Sequence, residues 1–295
     1  MAGKVCLITG ANRGIGRAVT TALAGQGATV LMACRNRETG ETARAQIAAA
    51  TGNPDVRLFV ADLAVQDQVR RLAEEVRASQ QRLDVFISNA AAYYSHRTLT
   101  PDGIEATFAV NHLAGFILAE ELGGLLAASA PSRVVIVSSD AHYRVSNPED
   151  WTSSKGYSGR NAYSRSKLAN VIFGYDLAHR LERSGITVNS CHPGIVDTRI
   201  LHDLYDRWWL RWMWPIARRV AISPEEGART IVQLATSPEV EGVTGKYFRN
   251  GRPASSALIS HDPVIGARLW NVSLRLTGKL PPSTVTGEII AATNG

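Results

Sequence analysis

The chain has 295 residues, is 45% hydrophobic and 20% charged, and carries a formal net charge of +6. This composition excludes a disordered chain, and three cysteines, an odd number, exclude a disulfide scaffold. The modest basic excess suits an anionic ligand and does not require nucleic acid, so we expect no nucleic-acid partner.

The cysteines and the apolar runs bear on the compartment. Cys6, Cys34 and Cys191 all lie in apolar, strand-like runs, which favours buried free thiols in a reducing environment. Every apolar run is shorter than the roughly 18 residues that a membrane span needs, and no leader segment is recognisable. We therefore expect a cytoplasmic protein without a transmembrane anchor.

Short apolar runs rich in β-branched residues alternate with longer segments of helical periodicity. Because the runs are unbroken, we expect strands that are covered on both faces. The predicted strands are Lys4–Thr9, Thr29–Ala33, Val56–Val60, Leu83–Ser88, Arg133–Ser138, Thr187–His192 and Lys246–Phe248. The predicted helices are Gly16–Gln26, Arg37–Ala50, Val65–Ala78, Gly103–Ala128, Ala162–Arg183 and Pro224–Leu234.

This order predicts an α/β fold in which right-handed crossovers join parallel strands. We expect a seven-stranded, mostly parallel, doubly wound sheet with helices on both faces, forming one Rossmann domain over residues 1–295. Two segments, near 140–160 and 195–222, interrupt the alternation. Each leaves the carboxyl end of a strand, where open α/β sheets bind ligands, and we expect both to be substrate-binding insertions.

A glycine-rich turn, Gly10-Ala11-Asn12-Arg13-Gly14-Ile15-Gly16, follows the first predicted strand. Glycines allow the backbone to approach a pyrophosphate closely, and the N-terminus of the next helix offers free N–H groups. The spacing departs from the common Gly-x-Gly-x-x-Gly pattern. The turn nevertheless predicts a dinucleotide site, with a plain structural turn as the alternative.

The residues after the second predicted strand bear on the choice of cofactor. Dinucleotide folds place an acid there to bind the adenosine ribose, or an arginine to accept a 2′-phosphate. This chain has Arg35 and Arg37 and no acid before Glu38, while Arg13 lies in the turn itself. Because guanidinium groups bind phosphate monoesters well, we predict NADP(H); solvated surface arginines are the alternative.

Tyr163 and Lys167 lie four residues apart in a predicted helix and therefore share one face. A nearby ammonium favours the phenolate and lowers the pKa of a tyrosine, so Tyr163 could act as a general acid and base. The pair alone is common by chance, and its meaning depends on the residues around it.

In combination, these motifs resemble those of the short-chain dehydrogenase/reductase family, from Lys4 to about Leu276. The motifs are, in chain order, Thr9-Gly10-x-x-x-Gly14-x-Gly16, Asp62-Leu63, Ser88-Asn89-Ala90-Ala91, Asn111, Ser139, Tyr163-x-x-x-Lys167, and His192-Pro193-Gly194 followed by Thr198. The resemblance implies a catalytic tetrad of Asn111, Ser139, Tyr163 and Lys167.

The same resemblance implies a set of cofactor-binding residues. These are the turn residues Gly10, Asn12, Arg13, Gly14, Ile15 and Gly16, then Arg35, Asp62, Leu63, Asn89, Ala90, Ala91, Tyr163, Lys167, Pro193, Gly194, Ile195, Val196 and Thr198. Ala91 stands where the family usually has glycine, and we expect a shifted loop with binding retained.

A long insertion between Ser139 and Tyr163 resembles the retinol-dehydrogenase-like branch of the family. Further hallmarks of that branch are Val137–His142, Ser166–Asn170, Ser223–Ala228 and Gly245–Phe248. The resemblance implies an NADP(H)-dependent carbonyl reductase or ketoreductase that interconverts a ketone or aldehyde with an alcohol, and Tyr163 as general acid and base. It further implies a bulky apolar substrate, retinoid-, steroid- or polyketide-like.

Several alternatives remain open at this point. Ser138 is the rival of Ser139, because only one of two successive strand residues can face the site. A catalytically silent NADP(H)-sensing regulator is the alternative function. No metal site is expected, since His112, His142 and His192 lack the spacing of metal ligands.

The segment Trp208–Trp214 holds four of the six tryptophans, with arginines among and around them. Its position after the sixth predicted strand favours a lid over the substrate. Aromatic and basic residues also suit a peripheral membrane contact, and an oligomer contact is the third possibility.

Overall fold

The computed structural model describes residues 1–196 and 221–280, and one sheet runs through them. Its strands are β1 (Val5–Thr9), β2 (Thr29–Cys34), β3 (Val56–Val60), β4 (Val85–Ser88), β5 (Ser132–Val137), β6 (Ile186–His192), β7 (Lys246–Arg249) and β8 (Arg252–Ala254). The strand order is β3-β2-β1-β4-β5-β6-β7-β8.

Helices connect these strands. They are α1 (Gly14–Gly25), α2 (Arg37–Thr51), α3 (Gln66–Ser79), α4 (Ala106–Phe108), α5 (Ala114–Ala128), α6 (Gly159–Arg180), α7 (Pro224–Thr236) and α8 (Pro263–Leu276). Shorter turns include a π-helical turn at Ala109–Leu113 and 3₁₀ turns at Asp140–Arg144, Pro238–Val240 and Leu258–His261.

The prediction of a mostly parallel, doubly wound sheet is confirmed. Strands β1 to β7 pair in parallel, and the chain returns to the middle of the sheet between β3 and β4, where the direction of winding reverses. Ligands bind in open α/β sheets at this reversal, outside the carboxyl ends of the strands.

Within the described residues the sheet has eight strands, one more than predicted. Strand β8 pairs antiparallel with β7, so that Arg249 lies opposite Arg252. The turn between them is Asn250-Gly251, and both residues have positive φ, 48° and 74°. Asn-Gly is the preferred dipeptide for such a two-residue hairpin, so the signal for β8 was present in the sequence.

Both faces of the sheet are apolar and covered, as the unbroken runs predicted. Leu7 and Phe86 point to one face, where helices α3, α5 and α6 pack. Their neighbours Ile8 and Ile87 point to the other face, where α1, α2 and α7 pack. This arrangement leaves the strand ends as the open edge at which a site can form.

The predicted helix Gly103–Ala128 is interrupted in the structure. It begins after Glu105, whose buried carboxylate accepts hydrogen bonds from the amides of Thr107 (2.9 Å) and Phe108 (2.8 Å). The π-helical turn Ala109–Leu113 then separates α4 from α5. Such turns often occur at functional positions, and this one carries Asn111.

The cysteines are free and buried in the core, as predicted. Among the helices in the described part of the chain, none is long and apolar enough to span a membrane.

Candidate active site

A cleft of about 1670 Å³ opens at the carboxyl ends of the parallel strands. Every predicted cofactor residue in the described ranges lines it, namely Gly10, Asn12, Arg13, Gly14, Ile15, Gly16, Arg35, Asp62, Leu63, Asn89, Ala90, Ala91, Tyr163, Lys167, Pro193, Gly194, Ile195 and Val196. Thr198 lies outside the described residues.

The glycine-rich turn at one end of the cleft has no room for side chains. Gly10 and Gly14 have positive φ, 67° and 50°. A Cβ added to Gly16 would lie 2.1 Å from the carbonyl oxygen of Gly10 and 2.6 Å from Nδ2 of Asn89. No side chain caps the N-terminus of α1, so its first amides and the positive end of its dipole are offered to an anion.

Strands β1 and β4 are tied together beside this turn. The Thr9 hydroxyl oxygen accepts hydrogen bonds from the amides of Asn89 (2.9 Å) and Ala90 (3.0 Å), and Asn89 Nδ2 donates to the carbonyl oxygen of Thr9 at 2.8 Å. These bonds fix the loop after β4 against the glycine turn, where the resemblance places a cofactor ribose.

Two of the three predicted arginines lie at the cleft. Arg13 and Arg35 line it, whereas Arg37 is the first residue of α2 and does not. Asn36 caps α2 by accepting a hydrogen bond from the amide of Thr39 at 2.9 Å. The cap orients the turn after β2, so that Arg35 stands at the exposed mouth of the cleft.

Tyr163, Ser139 and Lys167 converge in the middle of the cleft. Tyr163 and Lys167 lie on α6, and the Lys167 Nζ is 5.6 Å from the centre of the Tyr163 ring. Lys167 Nζ donates to the carbonyl oxygen of Val137 at 3.1 Å. Ser139 lies two residues after the end of β5, and hydrogen bonding from its side chain lowers the pKa of Tyr163.

The pKa of Tyr163 moves against the expectation drawn from its neighbouring lysine. Burial raises the pKa of Tyr163 to about 12, and the hydrogen bond with Ser139 lowers it only in part. Burial also lowers the pKa of Lys167 to about 8. The prediction that the ammonium depresses the tyrosine pKa is therefore wrong, because loss of hydration is the largest influence on this pKa and only Ser139 lowers it.

The two candidate serines have different surroundings. The Ser138 hydroxyl is buried and donates to the carbonyl oxygen of Lys167 at 2.7 Å. The Ser139 hydroxyl faces Tyr163 and accepts a hydrogen bond from the amide of Ala141 at 3.2 Å. These contacts favour Ser139, and not Ser138, as the serine whose hydroxyl is available for a hydrogen bond to a substrate.

Asn111 does not line the cleft but holds its wall. Its buried side chain accepts a hydrogen bond from the amide of Ala92 at 2.7 Å and donates to the Ala92 carbonyl oxygen at 3.1 Å. It also donates to the Ser166 hydroxyl at 2.9 Å, which in turn donates to the carbonyl oxygen of Tyr163 at 2.7 Å. Asn111 thus connects the loop after β4 to the turn of α6 that carries Tyr163.

Sequence reasoning missed several residues that line the cleft, among them Tyr93, Tyr94, Asn161, Arg249 and Asn250. Tyr93 packs edge-on against Tyr163, with ring centres 6.4 Å apart. Tyr93 and Tyr94 follow the end of β4, and their position after a parallel strand is the signal that could have identified them. Asp140 and Arg249 lie in different segments and are brought together only by the fold.

Comparisons with known proteins identify relatives of this chain. The family model described as short chain dehydrogenase matches residues 4–208. The sequence is similar to retinol dehydrogenase 14 of Mus musculus, with 40% identity over 292 residues that cover 95% of this chain and 87% of that protein.

Two solved structures illustrate the similarity in three dimensions. An uncharacterised protein from Mycobacterium paratuberculosis has a TM-score of 0.74 and 30% identity, covering 94% of both chains. An active-site complex of Pseudomonas aeruginosa RhlG with NADP has a TM-score of 0.67 and 26% identity, covering 84% of this chain and 94% of that one.

Proposed function

The chain belongs to the short-chain dehydrogenase family and is an oxidoreductase of that family, and from this premise we propose a specific reaction. The protein interconverts a ketone or aldehyde with an alcohol, uses NADP(H), and employs Tyr163 as general acid and base. One observation carries the proposal: Ser139, Tyr163 and Lys167 meet in the same cleft as an uncapped, glycine-lined helix N-terminus.

The residues at the turn fit a dinucleotide phosphate. The Cβ of any other residue at Gly16 would overlap the backbone of Gly10. Glycine at this position therefore keeps the turn compact where a pyrophosphate must approach. The free amides of α1 complement its charge. Arg13 and Arg35 line the cleft beside the adenosine position implied by Asp62 and Leu63, which supports the choice of NADP(H) over NAD(H).

The reacting groups follow from the contacts in the cleft. When bound, the reduced nicotinamide supplies a hydride to the carbonyl carbon. Ser139 donates a hydrogen bond to the carbonyl oxygen, which polarises the bond. Because the pKa of Tyr163 is about 12, its phenol keeps its proton at neutral pH and can donate it to the alkoxide as negative charge develops there. The Lys167 ammonium lies 5.6 Å from the centre of the Tyr163 ring and would stabilise the phenolate that remains after Tyr163 has given up its proton.

The size of the cleft and the two tyrosines beside Tyr163 support a large, mostly apolar substrate. Its volume of about 1670 Å³ exceeds the roughly 300–1,000 Å³ of a typical small-molecule site, leaving room beside a dinucleotide. Tyr93 and Tyr94 offer aromatic surface next to Tyr163. We propose a retinoid-like alcohol or aldehyde as the first substrate class to test, because relatives with 37–40% identity are named retinol dehydrogenases.

The insertions keep their proposed role in substrate binding within one domain. Residues 140–160 reach the cleft through Asp140, Arg144 and Ser146. The segment Trp208–Trp214 lies outside the described residues, so the lid, the membrane contact and the oligomer contact all stay hypotheses. The cytoplasmic location is likewise a proposal.

The direct experiment measures NADPH and NADH oxidation with a panel of retinoid, steroid and small aromatic aldehydes and ketones. In the same panel, Tyr163→Phe removes the transferable proton and keeps the ring. We expect kcat to fall by at least ~10²-fold while NADPH binding, followed by fluorescence, changes little. Turnover by Tyr163→Phe close to that of the wild type would contradict the mechanism.

The neighbouring tyrosine provides a matched control. Tyr93→Phe removes a hydroxyl from the ring that packs against Tyr163 and is expected to retain kcat within about 3-fold, well below the effect of losing the acid itself. If the wild type binds NADPH but none of the carbonyl compounds in the panel causes its oxidation, the chain is instead a cofactor-sensing protein of the same fold.

A further inference from the structure

Asp140 connects three parts of the molecule beside Ser139. Its carboxylate accepts a hydrogen bond from the Tyr247 hydroxyl at 3.0 Å and forms an ion pair with Arg249 at 3.1 Å, both on β7. On β6, the same carboxylate lies 3.5 Å from Nε2 of His192. Its backbone amide donates to Nδ1 of His192 at 3.4 Å. The fold supplies these partners from segments more than fifty residues away.

The protons of His192 and Tyr247 both point toward the carboxylate of Asp140. Nδ1 of His192 accepts a hydrogen bond, so the proton of the neutral ring lies on Nε2, which faces the carboxylate. Tyr247 is buried and donates its only proton to Asp140. Asp140 Oδ1 therefore accepts a hydrogen bond from Tyr247, while Oδ2 lies 3.1 Å from the Arg249 guanidinium and 3.5 Å from Nε2 of His192.

Ser139 is held from its other side by a second contact. Nδ1 of His142 lies 2.7 Å from the Ser139 carbonyl oxygen, and Nε2 accepts a hydrogen bond from the amide of Ala257 at 3.1 Å. This contact attaches the turn to the segment after β8. The His142 ring also packs against Tyr247 on β7, with ring centres 5.0 Å apart, so Asp140 supplies the polar part of the attachment to β6 and β7.

The position of Asp140 links it to both sides of the reaction centre. It follows Ser139 in the chain, and its partner His192 precedes Pro193, Gly194 and Ile195, which line the cleft. A loss of the carboxylate would free the start of the Asp140–Arg144 turn from the sheet edge. The hydroxyl of Ser139 would then be held relative to Tyr163 from the His142 side alone, and small misplacements of a catalytic group reduce rates strongly.

We propose that Asp140 is a positioning residue, whose carboxylate holds the turn after β5 against the ends of β6 and β7 and thereby aims the Ser139 hydroxyl at Tyr163. This inference rests on the proposed function, since it assigns Ser139 its role in that reaction. It predicts that Asp140 acts through Ser139 and not through the substrate.

The test is a double-mutant cycle of Asp140→Asn and Ser139→Ala, measured with saturating NADPH and the best carbonyl compound of the panel. We expect Asp140→Asn to lower kcat about 10-fold with the carbonyl KM within about 3-fold, and Ser139→Ala to lower kcat about 10²-fold or more. The double variant should be no slower than Ser139→Ala within about 2-fold, because a residue that acts through Ser139 has nothing left to position.

Asp84→Asn is the matched control. Asp84 is also a carboxylate that binds an arginine, Arg82, and further donors, but it lies just before β4, at the amino ends of the strands and away from the cleft. Its loss should reduce stability and leave kcat within about 2-fold, with or without Ser139. If Asp140→Asn and Ser139→Ala multiply to about 10³-fold, or if Asp140→Asn raises KM with kcat unchanged, the positioning role is overturned.

Two further measurements keep the test decisive. Tyr247→Phe removes one donor to Asp140 from a residue that does not line the cleft. It should lower kcat about 3-fold with KM unchanged if Asp140 is held as proposed; an unchanged kcat argues against the positioning role.

Amide hydrogen exchange needs no substrate: Asp140→Asn should speed exchange at residues 140–144 about 10-fold, whereas Asp84→Asn should not. Unchanged exchange overturns the anchoring even if the wild type proves inactive, and inactivity alone rejects only the proposed reaction.

Discussion

The choice of NADP(H) rests on Arg35, and its removal gives a quantitative prediction. Arg35 is exposed and lines the cleft just beyond β2. A charge-assisted hydrogen bond from such a guanidinium to a phosphate contributes about 1.5–3 kcal/mol, which corresponds to roughly 10- to 150-fold in affinity. Because the group is exposed and screened by salt, we expect Arg35→Ala to weaken NADPH binding about 10- to 30-fold at physiological ionic strength. NADH lacks the 2′-phosphate, and its affinity should change by less than about 3-fold.

The assay is a fluorescence titration of both reduced cofactors at fixed salt, with Arg37→Ala as the matched control. Arg37 is also exposed and lies two residues further on, but it begins α2 and does not line the cleft. Its replacement should leave both affinities within about 2-fold, less than the loss of a single charge-assisted bond. Equal weakening of NADPH and NADH by Arg35→Ala, or a larger effect of Arg37→Ala than of Arg35→Ala on NADPH, would refute the assignment of the phosphate site.

Two predictions concern stability and thiol chemistry. Burial would raise the pKa of Asp84, but hydrogen bonds from Arg82, Lys4 and the Val5 amide lower it below its ordinary value. Asp84→Asn should therefore cost about 1–3 kcal/mol of unfolding free energy at pH 7, and in urea titrations this difference should shrink as the pH falls below ~4, toward the folded pKa; a constant difference down to pH 3 would contradict the argument. Burial raises the pKa of Cys6 and of Cys191 to about 12, so an aromatic disulfide reagent at pH 8 should label these thiols only after unfolding; fast labelling of either in the native protein would argue against a closed core.

The elements that the sequence predicted well are those whose signal is local. Unbroken apolar runs identified β1 to β7, because burial on both faces removes polar residues from a strand. The glycine turn was identifiable because only glycine tolerates the backbone of Gly10 and the contact at Gly16. Strand β8 and helix α8 were missed although Asn250-Gly251 and the cap Asp262 before Pro263 are local signals of the same kind.

The features that could not be predicted depend on distances that only the fold supplies. The helical periodicity around Asn111 gave no indication of the π-helical turn that aims it at Ala92. The pKa of Tyr163 was predicted in the wrong direction because sequence spacing reports the nearness of Lys167 and says nothing of the water excluded from both. The partners of Asp140 come from two other strands, so no pattern near Asp140 could have revealed them.

The glycine turn also provides a test that separates cofactor binding from helix stability. At Gly16, a Cβ would lie 2.1 Å from the Gly10 carbonyl oxygen, which no rotation can relieve because both partners are backbone. Gly16→Ala must therefore displace α1 from the turn, and we expect NADPH binding to weaken at least ~10-fold through loss of the aligned amides.

Gly25, at the other end of the same helix, is the matched control. A Cβ there would meet only Cγ2 of Thr51, at an ordinary 3.8 Å. Gly25→Ala should stabilise the protein by about 0.4–1 kcal/mol, because alanine restricts the unfolded chain, and it should leave NADPH affinity unchanged. Titration of both variants decides the matter, since the two substitutions are chemically identical and differ only in what the methyl group contacts. If Gly16→Ala binds NADPH as tightly as Gly25→Ala does, the turn at Gly10–Gly16 does not hold the pyrophosphate, and the cofactor site must lie elsewhere in the cleft.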